Sequence, residues 1–242
     1  MWNRLLSSSL IYVYLFVGTI AATAIGFLTG NKIVLPILQI VVAYPVLYSL
    51  VARESQKRAI LTMLFWALSV AIVVVTATLH YREAAANSIF HGTVYVDEMF
   101  HWIKTGEGAE GNPVQFVPIH LLHFILFAAL SLLTGSVLSL FMGALLMNYM
   151  SFYVASVIGA SHGQWIAALM AWHPWSAIRV ASFVILGVIL AEPLICKIQK
   201  RDYEYSTVRP YFWLALHGLA IDVLMKSVLA PWWGMTLRKL IF

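Results

Sequence analysis

The sequence predicts an all-α, polytopic integral membrane protein: one helical bundle over residues 1–242, with about seven transmembrane helices and an extracytoplasmic amphipathic loop segment. Of the 242 residues, 62% are hydrophobic and only 10% are charged, whereas soluble globular chains carry about 25% charged residues. The mean hydropathy is +0.86. Apolar stretches recur at about the 20-residue length that a membrane-crossing helix needs. This composition excludes a soluble enzyme, a disordered tail and a coiled-coil or collagen-like rod.

Seven apolar stretches are long enough to cross a bilayer. We predict spans at Leu10–Leu28, Ile33–Ala52, Ile60–Leu79, Val117–Leu133, Val137–Ile158, Ile178–Ile195 and Tyr211–Leu229. An alternative for the first stretch is a secretory signal, because Arg4 precedes it and Ala22 and Ala24 fit a cleavage site. Six spans plus a re-entrant segment is a second alternative, because the C-terminal Arg238–Lys239 pair would prefer the cytoplasm.

Small residues are frequent in the fourth and fifth predicted spans. Gly135, Gly143 and several serines fall there. Small side chains allow helices to approach closely in a membrane. We therefore expect these two spans to form the packed centre of the bundle.

The basic residues predict the orientation, because Lys and Arg concentrate in cytoplasmic loops. With the N-terminus inside, the inner side holds Arg4, Arg53, Lys57, Arg58, Lys197, Lys200, Arg201 and Arg209. The outer side then holds Lys32, Arg82, Lys104, Arg238 and Lys239. This asymmetry favours a cytoplasmic N-terminus in a plasma or inner membrane. It also accounts for the net charge of +5 without a nucleic-acid partner.

The longest connection between predicted spans runs from about His80 to Pro118. Its mixed polar and apolar spacing over Ala84–Lys104 predicts a short helix that lies on the membrane surface. Glycines follow this segment and predict a flexible turn. The alternative is a solvated connector without further function.

Histidines and a carboxylate near the outer face form a candidate metal site. Asp97 and His101 share a helix face at i, i+4, and His120 and His123 do so at i, i+3. Imidazole and carboxylate ligands suit Zn, Cu or Fe. The sequence therefore predicts a transition-metal site at Asp97, His101, His120 and His123, with interfacial hydrogen-bonding histidines as the alternative.

Charged residues inside apolar stretches form a second candidate site. Asp222 and Lys226 stand one turn apart on the last span, and Arg179 begins the sixth span at a similar depth. Charges in hydrocarbon are costly and are usually paired or face a cavity. We predict a buried Arg179, Asp222 and Lys226 group that acts as a structural ion pair, as a proton or ion relay, or as a binding site for an anionic headgroup at Arg179.

The order of features in the second half of the chain resembles the stage II sporulation protein M family. These features are a small-residue span with Asn148, a His173–Pro174 turn that opens the next span, a basic inner loop, and a last span with Asp222 and Pro231. The family's Pro-His-Gly followed by Glu is not reproduced. The resemblance implies a non-enzymatic envelope protein that works within a complex.

A second resemblance involves the third subunit of copper membrane monooxygenases. Asp97, His101 and His120 match in type and order the D-x3-H pair and later His that bind metal in that family. The stretch Phe116–His120 also looks like its Phe-x-Pro-x-His. The gap between the two histidines is longer here. The resemblance implies a metal site near a helix end.

Three functions follow from these patterns. The first is a non-catalytic subunit or scaffold of a larger membrane complex, in contact with the lipid bilayer and with protein partners, since neither an HExxH motif nor a P-loop is present. The second is a metal-dependent membrane enzyme or metal-handling protein. The third is a small transporter whose pathway is lined by the buried charges. Whether the chain catalyses a reaction stays open in the sequence.

Overall fold

The computed structural model describes residues 9–53, 56–162 and 164–242. These residues form ten α-helices and one 3-10 turn, and they contain no strand. The helices are α1 (Leu10–Thr29), α2 (Val34–Val51), α3 (Gln56–His80), α4 (Arg82–Ser88), α5 (Gly92–Thr105), α6 (Pro113–Thr134), α7 (Val137–Ala160), α8 (Trp165–Ala171), α9 (Pro174–Gln199) and α10 (Tyr205–Ile241). The 3-10 turn, Ala109–Gly111, lies between α5 and α6.

Seven of these helices are long and apolar enough to cross a membrane: α1, α2, α3, α6, α7, α9 and α10. The predicted all-helical fold with seven spans is therefore confirmed, and the protein is an integral membrane protein. The short elements α4, α5, the 3-10 turn and α8 all lie at one end of the bundle, where α3, α7 and α10 end and α6 and α9 begin. We refer to this end as the α5 face.

The amphipathic segment that was predicted as one helix consists of two. The chain turns between α4 and α5, where His91 has a positive φ of 60°. Helix α5 then packs its apolar side, including Met99, Trp102 and Ile103, against the bundle. It contacts α7 and the last part of α10.

The last helix, α10, is much longer than the predicted span. It has 37 residues, or about 55 Å at a rise of about 1.5 Å per residue, whereas the hydrocarbon core is about 30 Å thick. It continues through Pro231 because the residues beyond it are held at the α5 face. The Trp233 indole N–H donates to the Met170 carbonyl over 2.7 Å, and the Arg238 guanidinium donates to the Ile103 carbonyl over 2.8 Å.

The packed centre of the bundle differs from the one that small residues predicted. Half or more of the most apolar part of α3 and α9 is buried, whereas only 17% of the corresponding part of α6 is buried. Helix α7 lies centrally, in contact with α2, α3, α5, α6 and α8. The expectation for the fifth span therefore holds, and that for the fourth span is wrong. Gly143 faces no close backbone, since the nearest atom to an added Cβ would be Phe127 Cε2 at 4.0 Å.

A buried pair of amides joins α2 to α7. The Gln39 amide donates to Asn148 over 3.0 Å, and the Asn148 amide donates to Gln39 over 2.9 Å. Both side chains are almost fully buried. The reciprocal bonds satisfy polar groups that would otherwise be unpaired in an apolar interior.

Candidate functional site: a buried polar cluster beside a cleft

Six titratable side chains meet near the α5 face, and three segments of the chain each contribute two of them. Glu110 and His120 come from the 3-10 turn and the start of α6, His173 and Arg179 from the start of α9, and Asp222 and Lys226 from α10. We call these six residues the polar cluster. It consists of two layers, each with one histidine, one carboxylate and one cation.

The first layer is built around Asp222. The Arg179 guanidinium donates two hydrogen bonds to this carboxylate, from Nε over 2.9 Å and from Nη2 over 2.8 Å. This bidentate geometry is the strong form of an ion pair. His120 Nδ1 lies 3.6 Å from Asp222 Oδ2. This nitrogen is buried and has no hydrogen-bond partner within the described ranges.

The second layer is built around Glu110. The Lys226 ammonium donates to Glu110 Oε2 over 2.8 Å, and the Trp175 indole N–H donates to Glu110 Oε1 over 3.1 Å. His173 stacks on Trp175 with ring centroids 4.7 Å apart, and its Nδ1 lies 3.8 Å from Glu110 Oε1. Lys226 Nζ also lies 4.4 Å from the centroid of the Phe116 ring. Both carboxylate oxygens and the cation therefore have partners.

Burial and charge fix the protonation states in this second layer. Burial would raise the pKa of Glu110, but the adjacent Lys226 ammonium outweighs it, and the pKa falls to about 2. Burial lowers the pKa of His173 to about 4, although the Glu110 carboxylate opposes this shift. At neutral pH, Glu110 is therefore ionised and His173 is neutral.

Local sequence explains how the three segments present these groups. Asn112 caps α6 by accepting a hydrogen bond from the Val114 N–H over 3.0 Å, with Pro113 at the first helical position. Pro174 begins α9 in the same way, directly after His173. On α10, the i, i+4 spacing of Asp222 and Lys226 directs one side chain to each layer.

A cleft lies beside the first layer, between α6 and α10. Both helices pack against α9 and have little direct contact with each other. The cleft has a volume of about 270 Å³, and Arg179, Asp222, His120 and His123 line its polar end. Apolar side chains, among them Phe124, Phe183 and Leu216, line the rest. The arrangement can bind a molecule that has one polar and one apolar end.

The four predicted metal ligands do not form a metal site. In the part of the chain that the structure describes, no group of three or more His, Cys, Asp or Glu side chains is placed to hold a metal ion. Asp97 and His101 are exposed on α5, because the opposite side of that helix packs on the bundle. His120 and His123 line the cleft instead. The predicted Zn, Cu or Fe site therefore has no support in the geometry.

The three predicted buried charges lie close together, but they belong to two separate ion pairs. Arg179 pairs with Asp222, whereas Lys226 pairs with Glu110. Glu110 lies in the turn that was predicted to be flexible, and neither Glu110 nor His173 was predicted to belong to this site. In the sequence, only the position of these two residues close to a predicted span could have pointed to them.

Comparison with known proteins adds no relative, since no family model, curated protein or solved structure matches the chain. The functional assignment therefore rests on the polar cluster and its cleft.

Proposed function

We propose that the protein is a small membrane transporter whose substrate pathway includes the polar cluster. The observation that carries this proposal is the opening of the first layer into the cleft. Asp222 is almost fully buried, with 2% of its side chain exposed, whereas 23% of the Arg179 side chain is exposed. A purely structural ion pair in a membrane has no need of an adjoining cavity, but a transport site has.

The two-layer arrangement supports movement of charge or substrate. The two carboxylates balance the two cations, so the cluster as a whole is neutral when both histidines are neutral. A substrate that takes hydrogen bonds from Arg179 would weaken its pair with Asp222, and the His120 imidazole lies close enough to share the released carboxylate. Binding would thereby change the contacts that hold α6, α9 and α10 together.

Accessibility from both sides of the membrane tests this proposal without knowledge of the substrate. Ala220 lines the cleft, and Cys196 is the only cysteine. In a Cys196→Ala background, we expect a membrane-impermeant thiol reagent to label Ala220→Cys from either side of sealed vesicles. The control is Leu224→Cys on the same helix, 65% exposed and outside the cleft lining, which we expect to remain unlabelled because it faces lipid.

Replacing the central carboxylate sharpens the test. Asp222→Asn removes the charge that holds Arg179, so we expect the ratio of labelling from the two sides to change at Ala220→Cys. Labelling from one side only, or a ratio that Asp222→Asn leaves unchanged, would contradict a transport pathway.

A second candidate function is a non-catalytic subunit of a membrane complex. The observation that favours it is the low burial of α6 and α10, since only 17% of the most apolar part of each is covered, against 39% to 56% in the other five spans. Photocrosslinking in native membranes tests it, with the probe at Leu122 on α6 and a control probe at Leu68 on α3. A discrete protein adduct at Leu122 alone would support a subunit, whereas lipid adducts at both positions would contradict it.

A further inference from the structure

We propose that the cleft between α6 and α10 binds a lipid-like amphiphile, with its anionic oxygen-bearing headgroup at Arg179 and its hydrocarbon tail along the apolar part of the cleft. This inference rests on the proposed transporter and names its substrate class. The chemistry required of the ligand is a phosphate or carboxylate group joined to an apolar chain.

At the polar end of the cleft, the Arg179 guanidinium is more exposed than the Asp222 carboxylate, with 23% of the arginine side chain exposed against 2% of the aspartate side chain. The Asp222 carboxylate accepts hydrogen bonds from Nε and Nη2 of this guanidinium. The remaining guanidinium N–H groups have no partner among the described residues. A guanidinium binds phosphate or carboxylate oxygens with matched geometry. His120 and His123 line the same end and add imidazole nitrogens for further hydrogen bonds.

The apolar part of the cleft continues from this end toward the middle of the bundle. Phe183 follows Arg179 by one turn of α9, and Phe124 and Leu216 lie on the two flanking helices. At the rim, the Leu121 side chain is 55% exposed, so the cleft opens sideways between α6 and α10. A hydrocarbon tail can therefore enter from the bilayer without crossing a polar surface.

The depth of Arg179 fits a lipid that lies in one leaflet. Arg179 is five residues after Pro174, the first residue of α9, or roughly 8 Å along the helix axis. A headgroup at this depth lies just beneath the membrane surface at the α5 face. The tail then runs parallel to the helices toward the bilayer centre, as the tails of neighbouring lipids do.

A second groove in the same bundle is apolar but lacks the charged end of the α6–α10 cleft. It lies between α2 and α7, has a larger volume of about 420 Å³, and is lined by apolar residues that include Ile37, Val41 and Phe141. None of the described titratable side chains lines it. Charge complementarity therefore distinguishes the α6–α10 cleft, and the α2–α7 groove serves as an internal control.

Native mass spectrometry of the full-length protein in mild detergent tests the inference, with phosphatidylglycerol, phosphatidylcholine and inorganic phosphate as probes. We expect phosphatidylglycerol to be retained roughly tenfold better than phosphatidylcholine, the factor that about 1.4 kcal/mol of differential binding produces. The double variant Arg179→Gln/Asp222→Asn removes both charges together and should abolish this preference. Leu219→Trp fills the apolar part of the cleft and should reduce retention, whereas Ile37→Trp in the α2–α7 groove should not.

Three results would overturn the inference. Equal retention of the two lipids would show that Arg179 does not select an anionic headgroup. Unchanged retention in Leu219→Trp would show that the hydrocarbon tail does not bind in the apolar part of the cleft. Inorganic phosphate that displaces phosphatidylglycerol at similar concentration, with no effect of Leu219→Trp, would identify a free anion as the ligand. Failure of the transporter proposal would give a different pattern. If the lipid binds specifically but Ala220→Cys is labelled from one side alone, the protein binds lipid without transporting it.

Discussion

Glu110 is the residue whose removal most directly tests the second layer of the polar cluster. Its carboxylate neutralises Lys226, whose side chain is only 3% exposed. Glu110→Gln leaves that cation unpaired, and breaking a buried pair from one side costs about 3–5 kcal/mol. We expect a large loss of thermal stability in detergent, measured by a fluorescence melting curve. Glu107→Gln, an exposed neighbour, should have little effect.

A double variant separates the charge from the shape of the side chain. Replacing both partners of a buried ion pair by uncharged groups is often close to neutral. Glu110→Gln/Lys226→Met should therefore melt at a higher temperature than Glu110→Gln alone. A double variant that is less stable than the single one would show that the ion pair is not what Glu110 contributes.

We expect the protein to lose folding stability in acid because His173 is buried in its neutral form. Burial lowers its pKa to about 4 in the folded protein from the ordinary histidine value of 6.5, so the unfolded chain binds a proton first as the pH falls. The stability from neutral His173 is complete above about pH 6.5 and is lost between about pH 6.5 and 4. His173→Phe removes this step, so its melting temperature should fall less over that range. Equal slopes in the two proteins would contradict the assignment.

At the residue scale, the sequence points to a buried charge where that charge contrasts with its surroundings. Arg179, Asp222 and Lys226 interrupt apolar stretches, and the cost of a charge in hydrocarbon identifies them without a structure. Glu110 stands in a polar, glycine-rich segment and offers no such contrast. Its partner, Lys226, is 116 residues away, and only the docking of the 3-10 turn against α10 brings them together.

At the scale of the helices, Gly26 allows a close backbone approach between α1 and α2. An added Cβ would lie 2.8 Å from Leu35 Cβ and 3.0 Å from Leu35 Cα, and a backbone atom cannot move aside without shifting α2. We expect Gly26→Ala to lose about 1–3 kcal/mol, the usual effect of overpacking, measured by melting in detergent. Gly143→Ala on α7 is the matched control, and an equal loss there would contradict this account.

The hydropathy of the sequence predicts which segments form long helices. It does not predict how far each helix extends or which helices pack against each other. The predicted last span stopped at Leu229, but α10 continues to Ile241 because Trp233 and Arg238 bind backbone carbonyls of other elements at the α5 face. The predicted metal site lacks support in the geometry for a related reason. Helical spacing places Asp97 near His101 on α5 and His120 near His123 on α6, but it contains no information on how two helices face each other.

At the scale of the whole molecule, the structure indicates which Lys and Arg residues should be counted when the membrane orientation is predicted. Arg179 and Lys226 are paired with carboxylates within the cluster, so they add no net charge to the α5 face. Arg238, which made a six-span alternative attractive, donates to the Ile103 carbonyl at the end of α5. Its position is thus accounted for by a helix-end contact, and the remaining loop charges favour the opposite end of the bundle as cytoplasmic.

This charge distribution predicts that the α5 face is extracytoplasmic. Glu107 is exposed beyond α5, and Asp202 is exposed in the connection between α9 and α10 at the other end. In a Cys196→Ala background, a membrane-impermeant maleimide should label Glu107→Cys on intact cells and Asp202→Cys only after permeabilisation. Both substitutions remove one exposed acidic side chain, so each controls for the other. The reverse pattern would place Arg179 and its cleft in the cytoplasmic leaflet, so that an amphiphile would enter the cleft from that leaflet.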